Sequence, residues 1–322
     1  MNHSLKNLCK VNQGTIIEGK WHRNRYTIVN ELGYGANGIV YLAQSRNGLV
    51  ALKMSDNSMS ITSEVNVLKS FAKVQGSTLG PSLLDVDDWV RRAGQISFYV
   101  MEYIKGQDLL SYIHQKGPDW TNVFILQLLS DLDQLHQNGW VFGDLKPENL
   151  IVTGPPPKVR CIDVGGTTLK GRAIKEFTEF FDRGYWGLGS RKAEPSYDLF
   201  AVAMIMVNTV YPKRFNKTTG GLQQLKQMIG QKRELRKVEP VISKALQGGY
   251  DSAGQMRKEM LSVLNPTPKT TSQTNKTMRQ QRVKASRINH VKHKKKGGVL
   301  ETIVITAVIV FLYSLYIFEQ LL

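Results

Sequence analysis

The chain has 322 residues, of which 41% are hydrophobic, enough to bury one globular unit of about 240 residues with appendages. Its only two cysteines, Cys9 and Cys161, exclude a disulfide-stapled scaffold and fit a reducing compartment such as the cytoplasm. Residues Met1–Gly14 have no apolar core, which excludes a signal peptide there. The net charge is +17.

A glycine-rich turn comes first in chain order, between two segments whose apolar residues predict strands. Its pattern is GxGxxGxV, formed by Leu32, Gly33, Gly35, Gly38 and Val40. Glycines at this spacing let a backbone approach phosphate groups closely. A plain glycine-rich hairpin would carry the same pattern, whereas a dinucleotide-binding fold would need a helix directly after the glycines, and no helix is predicted there.

A lysine closes the next predicted strand. Lys53 follows the apolar run Leu49–Leu52, which includes Ala51. A lysine at the end of a buried strand needs an acidic partner. Glu64 lies on a segment where Val65 and Leu68 repeat at helical spacing, so we expect it to point from a helix toward Lys53.

The most informative segment is Gly143–Asn149, with sequence GDLKPEN. In-line phosphoryl transfer needs a carboxylate to accept the proton of the attacking hydroxyl and an oxygen ligand that holds a metal ion beside it. Asp144 and Asn149, five residues apart, fit these two roles. Asp163 ends a later apolar strand and is followed by Val164 and Gly165, a pattern that predicts a second metal ligand.

Together these motifs resemble the Hanks-type bacterial serine/threonine protein kinases, over roughly residues 25–264. The resemblance implies an α+β, bilobal protein-kinase fold with a β-rich N-lobe and a helical C-lobe. It also implies ATP with Mg²⁺ or Mn²⁺, an adenine-binding hinge at Met101, Glu102 and Ile104, and contact between Lys146 and the transferred phosphate. The sequence departs from the family pattern in two places. The first lies directly before the catalytic aspartate, where Phe142 and Gly143 replace the family's His and Arg.

The second departure concerns the activation segment, which we expect to be short or rearranged. Ala193-Glu194-Pro195 resembles the family's APE triplet but lies only a few residues before Asp198, which opens a predicted buried helix. Without the arginine before Asp144, a phosphate on this segment lacks its usual charge partner. Candidate autophosphorylation sites are Thr167, Thr168 and Thr178.

The C-terminal region predicts a membrane anchor. Residues 303–318 carry no charge, and the run 299–318 is long enough to cross a ~30 Å hydrocarbon core at 1.5 Å per residue. Because a lysine cluster precedes it, the positive-inside tendency predicts a single-pass protein of the cell membrane with a cytoplasmic kinase domain and an external C-terminus.

Between the globular unit and this segment, residues 266–298 contain ten Lys or Arg and no acid. The interspersed Pro, Ser, Thr, Asn and Gln predict a flexible linker. Anionic lipid and the backbone of duplex DNA are competing partners. The residues predicted to contact DNA or lipid are Lys276, Arg279, Arg282, Lys284, Arg287, Lys292, Lys294, Lys295 and Lys296.

The predicted organisation is an N-terminal extension (1–24), a kinase domain (25–264, with its lobes dividing near 100), a basic linker (265–298), a transmembrane helix (299–318) and a short external tail (319–322). The layout resembles that of a membrane-anchored, sporulation-associated kinase of bacilli within this family, which implies nucleic-acid responsiveness. The predicted function is a membrane-tethered serine/threonine protein kinase that phosphorylates proteins, including itself, and responds to DNA. A homodimer is compatible with this prediction. A small-molecule phosphotransferase of the aminoglycoside-kinase type and a non-catalytic scaffold built on a kinase fold are the alternatives.

Overall fold

A computed structural model describes residues 8–35, 38–73, 79–92, 94–218 and 220–265. Its N-terminal half is built on an antiparallel sheet of six strands in the order β1-β2-β3-β4-β6-β5. The strands are β1 (Ile16–Glu18), β2 (Arg25–Gly35), β3 (Gly38–Ser45), β4 (Gly48–Ser55), β5 (Leu83–Arg91) and β6 (Gly94–Glu102). The strands predicted on both sides of the glycine-rich turn are thereby confirmed as β2 and β3.

Strand β1 comes from the predicted N-terminal extension. It pairs with β2, with Ile17 opposite Tyr26, and Ile17 is fully buried. The loop after β1 reaches β5 at the other edge of the sheet, where the Lys20 amide donates to the Asp88 carbonyl at 2.8 Å. Asp87 accepts further hydrogen bonds from the amides of this loop. The sheet therefore curls until its two edges meet.

Helix α1 (Ser58–Lys73) packs on this sheet, which confirms the helix predicted around Glu64. The C-terminal half is mainly helical. Its helices are α2 (Leu109–Lys116), α3 (Asp119–Gln137), α4 (Pro195–Val210), α5 (Gly221–Gly230), α6 (Arg233–Arg236), α7 (Glu239–Leu246) and α8 (Ala253–Leu264). Short strands lie among these helices, with β7 directly before α2 and the others between α3 and α4: β7 (Gln107–Asp108), β8 (Trp140–Val141), β9 (Leu150–Thr153), β10 (Lys158–Cys161) and β11 (Thr168–Leu169).

Helix α4 forms the centre of the helical half. Twelve of its residues, from Tyr197 to Asn208, are buried. A helix that is apolar on every face must be surrounded by protein, and α4 contacts α3, α7 and α8. It carries Asp198 in its first turn, so this buried carboxylate is fixed at the base of the catalytic loop.

The predicted linker from residue 266 onward and the predicted transmembrane helix (299–318) lie outside the described residues. Among the residues that are described, we find no helix with both the length and the apolar character needed to cross a bilayer. The predicted domain boundaries stay predictions.

Candidate active site

A cavity of about 410 Å³ lies between the β-rich and helical halves. This volume falls within the range typical of small-molecule sites, ~300–1,000 Å³. The structure brings together most of the predicted nucleotide and metal residues in its lining. Those in the lining are Leu32, Gly33, Gly35, Gly38, Val40, Ala51, Lys53, Met101, Glu102, Ile104, Asn149 and Asp163.

The glycine-rich turn forms one wall through the ends of β2 and β3. Gly38 has φ +130°, a conformation that side-chain-bearing residues rarely adopt. A Cβ atom at this position would lie 2.1 Å from the Met54 carbonyl oxygen on β4. Glycine is therefore required at this position.

The predicted pair of Lys53 and Glu64 is formed. Lys53 Nζ lies 2.6 Å from Glu64 Oε2, and both side chains are buried. The Tyr99 hydroxyl donates to the same oxygen at 2.7 Å, and Ser60 Oγ donates to Glu64 Oε1 at 3.3 Å. Burial raises the pKa of Tyr99 well above its ordinary value, so this hydroxyl keeps its proton and remains a donor. Sequence reasoning missed Tyr99, because strand alternation shows that a side chain points inward but not what it contacts.

The predicted hinge connects β6 to the helical half. Met101 and Ile104 are buried and line the cavity. The side chain of Glu102 forms an ion pair with Arg160 of β10, with Nη2 to Oε2 at 2.9 Å. The Arg160 guanidinium holds the pKa of Glu102 below its ordinary value. This ion pair ties the hinge to the helical half.

Hydrogen bonds to the buried carboxylate of Asp198 fix the backbone of the catalytic loop. This carboxylate accepts the amide hydrogens of Phe142 at 2.7 Å and Gly143 at 2.9 Å, and it lies 2.8 Å from His136 Nε2. Gly143 has φ +84°, and a Cβ atom there would lie 2.6 Å from the Gly166 carbonyl oxygen. The residue before Asp144 therefore cannot carry a side chain in this conformation. The backbone geometry at Gly143 therefore excludes the arginine that the family has at this position.

The side chain of Asp144 contacts those of Lys146 and Thr178. Lys146 Nζ donates to Asp144 Oδ2. The Thr178 hydroxyl donates to Asp144 Oδ1 at 3.1 Å and accepts from Lys146 Nζ at 3.2 Å. Thr178, a candidate phosphorylation site in the sequence, thus contacts the predicted base and its lysine.

Asn149 and Asp163 both line the cavity. Asn149 Nδ2 donates to the Asp144 carbonyl at 3.0 Å, which fixes the amide and leaves its oxygen free for a ligand. Asp163 is exposed to the cleft, and its Oδ1 accepts the Gly165 amide at 2.9 Å. A carboxylate and an amide oxygen are ligands that hard divalent cations take. The two residues therefore fit a divalent metal ion.

The activation segment is ordered by contacts within the chain. Residues 171–174 run beside 191–193, with a bridge between Ala173 and Lys192. Asp182 is fully buried and accepts hydrogen bonds from Tyr197 Oη and Arg191 Nε at 2.9 and 2.8 Å. No local sequence signal distinguished Asp182, because the side chains that it binds lie nine and fifteen residues away.

The other two candidate phosphorylation sites are buried in this arrangement. Thr167 is 0% exposed and Thr168 is 1% exposed. The Thr168 hydroxyl donates to the Gly166 carbonyl at 2.9 Å. Phosphorylation of either residue would require the segment to move. The assignment of phosphorylation sites stays a prediction.

Comparison with known proteins agrees with this geometry. The family model described as the protein kinase domain matches residues 26–281. The chain is 52% identical over 332 residues to the serine/threonine-protein kinase YabT of Bacillus subtilis, with 98% of each chain covered. It is 32% identical to a probable serine/threonine-protein kinase of Clostridium acetobutylicum, over 40% of this chain and 20% of that protein.

The matched family covers both halves of the described structure and the whole of the cleft between them. The first relative extends the likeness over nearly the full length of the chain. Neither the small-molecule phosphotransferase nor the non-catalytic scaffold gains support from these comparisons. The chain belongs to the protein kinase family, as a bacterial Hanks-type, ATP-dependent serine/threonine protein kinase.

Proposed function

We propose that this kinase transfers the γ-phosphoryl group of ATP to protein hydroxyls with Asp144 as the base, and that it acts while tethered to a membrane and bound through its linker to DNA. The observation that carries the catalytic part is the arrangement of the cleft. The buried Lys53–Glu64 pair lies on one side, Asn149 and Asp163 line the cavity, and Asp144 stands at its end beside Lys146.

Each of these residues has a task in the transfer. Asp144 accepts the proton of the serine or threonine hydroxyl as its oxygen bonds to the γ-phosphorus. The bond from that phosphorus to the bridging oxygen breaks, and ADP leaves with the electron pair. Lys53, oriented by Glu64, holds the α- and β-phosphates, while Lys146 stabilises charge on the transferred group.

Asn149 and Asp163 would hold Mg²⁺, which supplies charge neutralisation at the β- and γ-phosphates when bound. Their oxygen ligands suit this ion, and Asn149 is pre-oriented by its hydrogen bond to the catalytic loop. Asp163→Ala should therefore raise the Mg²⁺ concentration needed for half-maximal transfer. A Mg²⁺ dependence identical to that of the wild type would remove Asp163 from the metal site.

The catalytic proposal is tested by ³²P transfer from ATP. Lys53→Ala and Asp144→Asn should each abolish transfer while leaving the thermal unfolding transition in place. Lys226→Ala, at an exposed position on α5, is the matched control and should keep wild-type activity. Unchanged incorporation by either cleft variant would contradict the assignment.

The membrane tether is supported by the uncharged run 303–318 and the preceding lysine cluster. We expect the full chain to sediment with membranes and to resist extraction by high salt. A version ending at Asn265 should be recovered in the supernatant. Release of the full chain by salt alone would indicate an electrostatic surface contact and would contradict a spanning helix.

The proposal that the linker binds DNA is supported by its number of basic residues. The lysine cluster next to the apolar run is enough to orient a membrane helix, and the basic residues upstream of it are not needed for that purpose. Each phosphate contact contributes about 0.9 to the slope of log affinity against log salt. Replacing the five upstream residues Lys276, Arg279, Arg282, Lys284 and Arg287 by Gln should lower that slope by about 4 to 5 and weaken duplex binding. The lysines near the membrane remain in this variant, so its orientation is preserved. Equal DNA affinity would remove these residues from the account, and loss of binding to anionic vesicles alone would assign them to lipid.

A further inference from the structure

The acid that follows the catalytic lysine is already paired. Glu148 lies in the 3₁₀ turn Pro147–Asn149, between Lys146 and the proposed metal ligand Asn149. Whereas Asn149 is buried, the side chain of Glu148 is 54% exposed and points away from the core. Arg214 Nη2 donates to Glu148 Oε1. The exposed carboxylate nearest to Asp144 along the loop is therefore neutralised from within the chain.

Arg214 is held at this place by a second set of contacts. It comes from the segment between α4 and α5, and its guanidinium lies 4.7 Å from the Phe181 ring centroid and 5.9 Å from that of Phe180. These rings belong to the turn Glu179–Phe181, directly after Thr178, whose hydroxyl contacts Asp144. Arg214 thus joins Glu148 of the catalytic loop to the turn that follows Thr178. Stacking on aromatic faces restricts its orientation.

The charges around Arg214 are mainly positive. Lys217 Nζ donates to the Tyr185 carbonyl at 2.7 Å and keeps its charge uncompensated. Lys213 is exposed, and in the described part of the chain neither lysine forms an ion pair. Glu179 is an exposed acid in the turn that holds Phe180 and Phe181, and Lys175 and Glu176 line the recess that also holds Asp144 and Lys146. With Glu148 neutralised by Arg214, the three lysines of these segments outnumber their two carboxylates.

We propose that Arg214 determines acceptor specificity: by occupying Glu148 and adding donors beside the catalytic loop, it makes the kinase prefer serine or threonine flanked by acidic residues. The inference rests on the proposed kinase function. An acidic flank can accept the guanidinium N–H groups that Glu148 leaves unused, whereas a basic flank meets Arg214, Lys213 and Lys217. The partner class is therefore an acidic segment of a protein.

The test uses the full chain and two synthetic peptides that each carry one serine and differ only in their flanks, glutamate or arginine. The wild type should give the higher kcat/KM with the acidic peptide. Arg214→Gln should lower the ratio of acidic to basic kcat/KM by up to about fivefold, the effect of one partly exposed charge pair. The change should come through the KM of the peptide, with the KM for ATP unchanged.

Glu148→Gln is the complementary variant, because it frees the guanidinium and should raise the same ratio. Lys226→Gln, at an exposed position on α5, should leave the ratio as in the wild type. An unchanged ratio in both Arg214→Gln and Glu148→Gln overturns the inference, and so does a wild-type preference for the basic peptide. Self-labelling without labelling of either peptide also counts against it. Absence of all transfer, to itself included, would contradict the proposed function instead.

Discussion

Tyr99→Phe removes one oxygen atom from the cleft and tests how Glu64 is held toward Lys53. In the wild type, Glu64 Oε2 accepts from both Lys53 Nζ at 2.6 Å and the Tyr99 hydroxyl at 2.7 Å. The ring of Tyr99 is 1% exposed and remains in the variant, so packing is kept. After the substitution Glu64 retains Lys53 and the longer contact with Ser60.

The size of the effect follows from the charge and burial of Glu64. A hydrogen bond to a buried charged group contributes about 1.5–3 kcal/mol. If this energy favours the inward position of α1 that the Lys53–Glu64 pair requires, its loss should lower kcat/KM for ATP about 10- to 100-fold. The loss should appear mainly in the handling of ATP, because Tyr99 has no contact with Asp144 or Lys146 among the described interactions.

The assay is an ATP titration of ³²P transfer, combined with thermal unfolding. Tyr26→Phe is the matched control: its hydroxyl donates to Asp85 at 2.6 Å, and neither residue lines the cavity. Both variants should lose stability, but Tyr26→Phe should keep the wild-type kcat/KM for ATP. A Tyr99→Phe enzyme with unchanged kcat/KM would refute the reasoning, and an equal loss in the two variants would assign the effect to stability.

Two further predictions concern the backbone and the interior of the helical half. Gly143→Ala places a Cβ atom 2.6 Å from the Gly166 carbonyl at φ +84°, so it should lower the free energy of unfolding by about 1–3 kcal/mol and reduce transfer; equal denaturation midpoints would contradict this geometry. Burial raises the pKa of Asp131 to about 6. Between pH 4 and 6 the folded state then binds more protons than the unfolded state, so this group makes stability fall as pH rises. Asp131→Asn should remove up to about 3 kcal/mol of that fall, measured as the difference in unfolding free energy between wild type and variant across pH; parallel curves would show that the carboxyl is not perturbed.

Local chemistry explains which parts of the site could be predicted from the sequence. The positions of Gly38, Lys53 and Asp144 follow from short-range needs: a turn without Cβ, a lysine at a strand end, a base beside a metal ligand. Helical spacing was enough to direct Glu64 toward Lys53, and the structure places the two side chains 2.6 Å apart. Each of these depends on residues close together in the chain.

The rest depends on contacts between residues far apart. Tyr99 reaches Glu64 across 35 positions, and Arg214 reaches Glu148 across 66. Strand β1 closes the sheet because its following loop binds β5, more than sixty residues later. Hydrophobic period and turn chemistry carry no information on such pairings.

Gly143 shows how the structure changes the meaning of a sequence departure. From the sequence alone it marks a lost arginine and hence a lost partner for a phosphate on the activation segment. The structure adds that the segment is already fixed by Asp182, Arg191 and Tyr197, and that Glu64 is already held by Tyr99. The central claim is therefore that this cleft is assembled without a phosphorylated activation segment.

The most direct test of that claim is the early time course of ³²P transfer to a protein substrate by enzyme that has been freed of phosphate with a phosphatase. Asp144→Asn serves as the blank. We predict transfer that is linear from the first time point, with the same rate after preincubation with unlabelled ATP. A lag that preincubation removes would show that phosphorylation must first assemble the site, and would contradict the account.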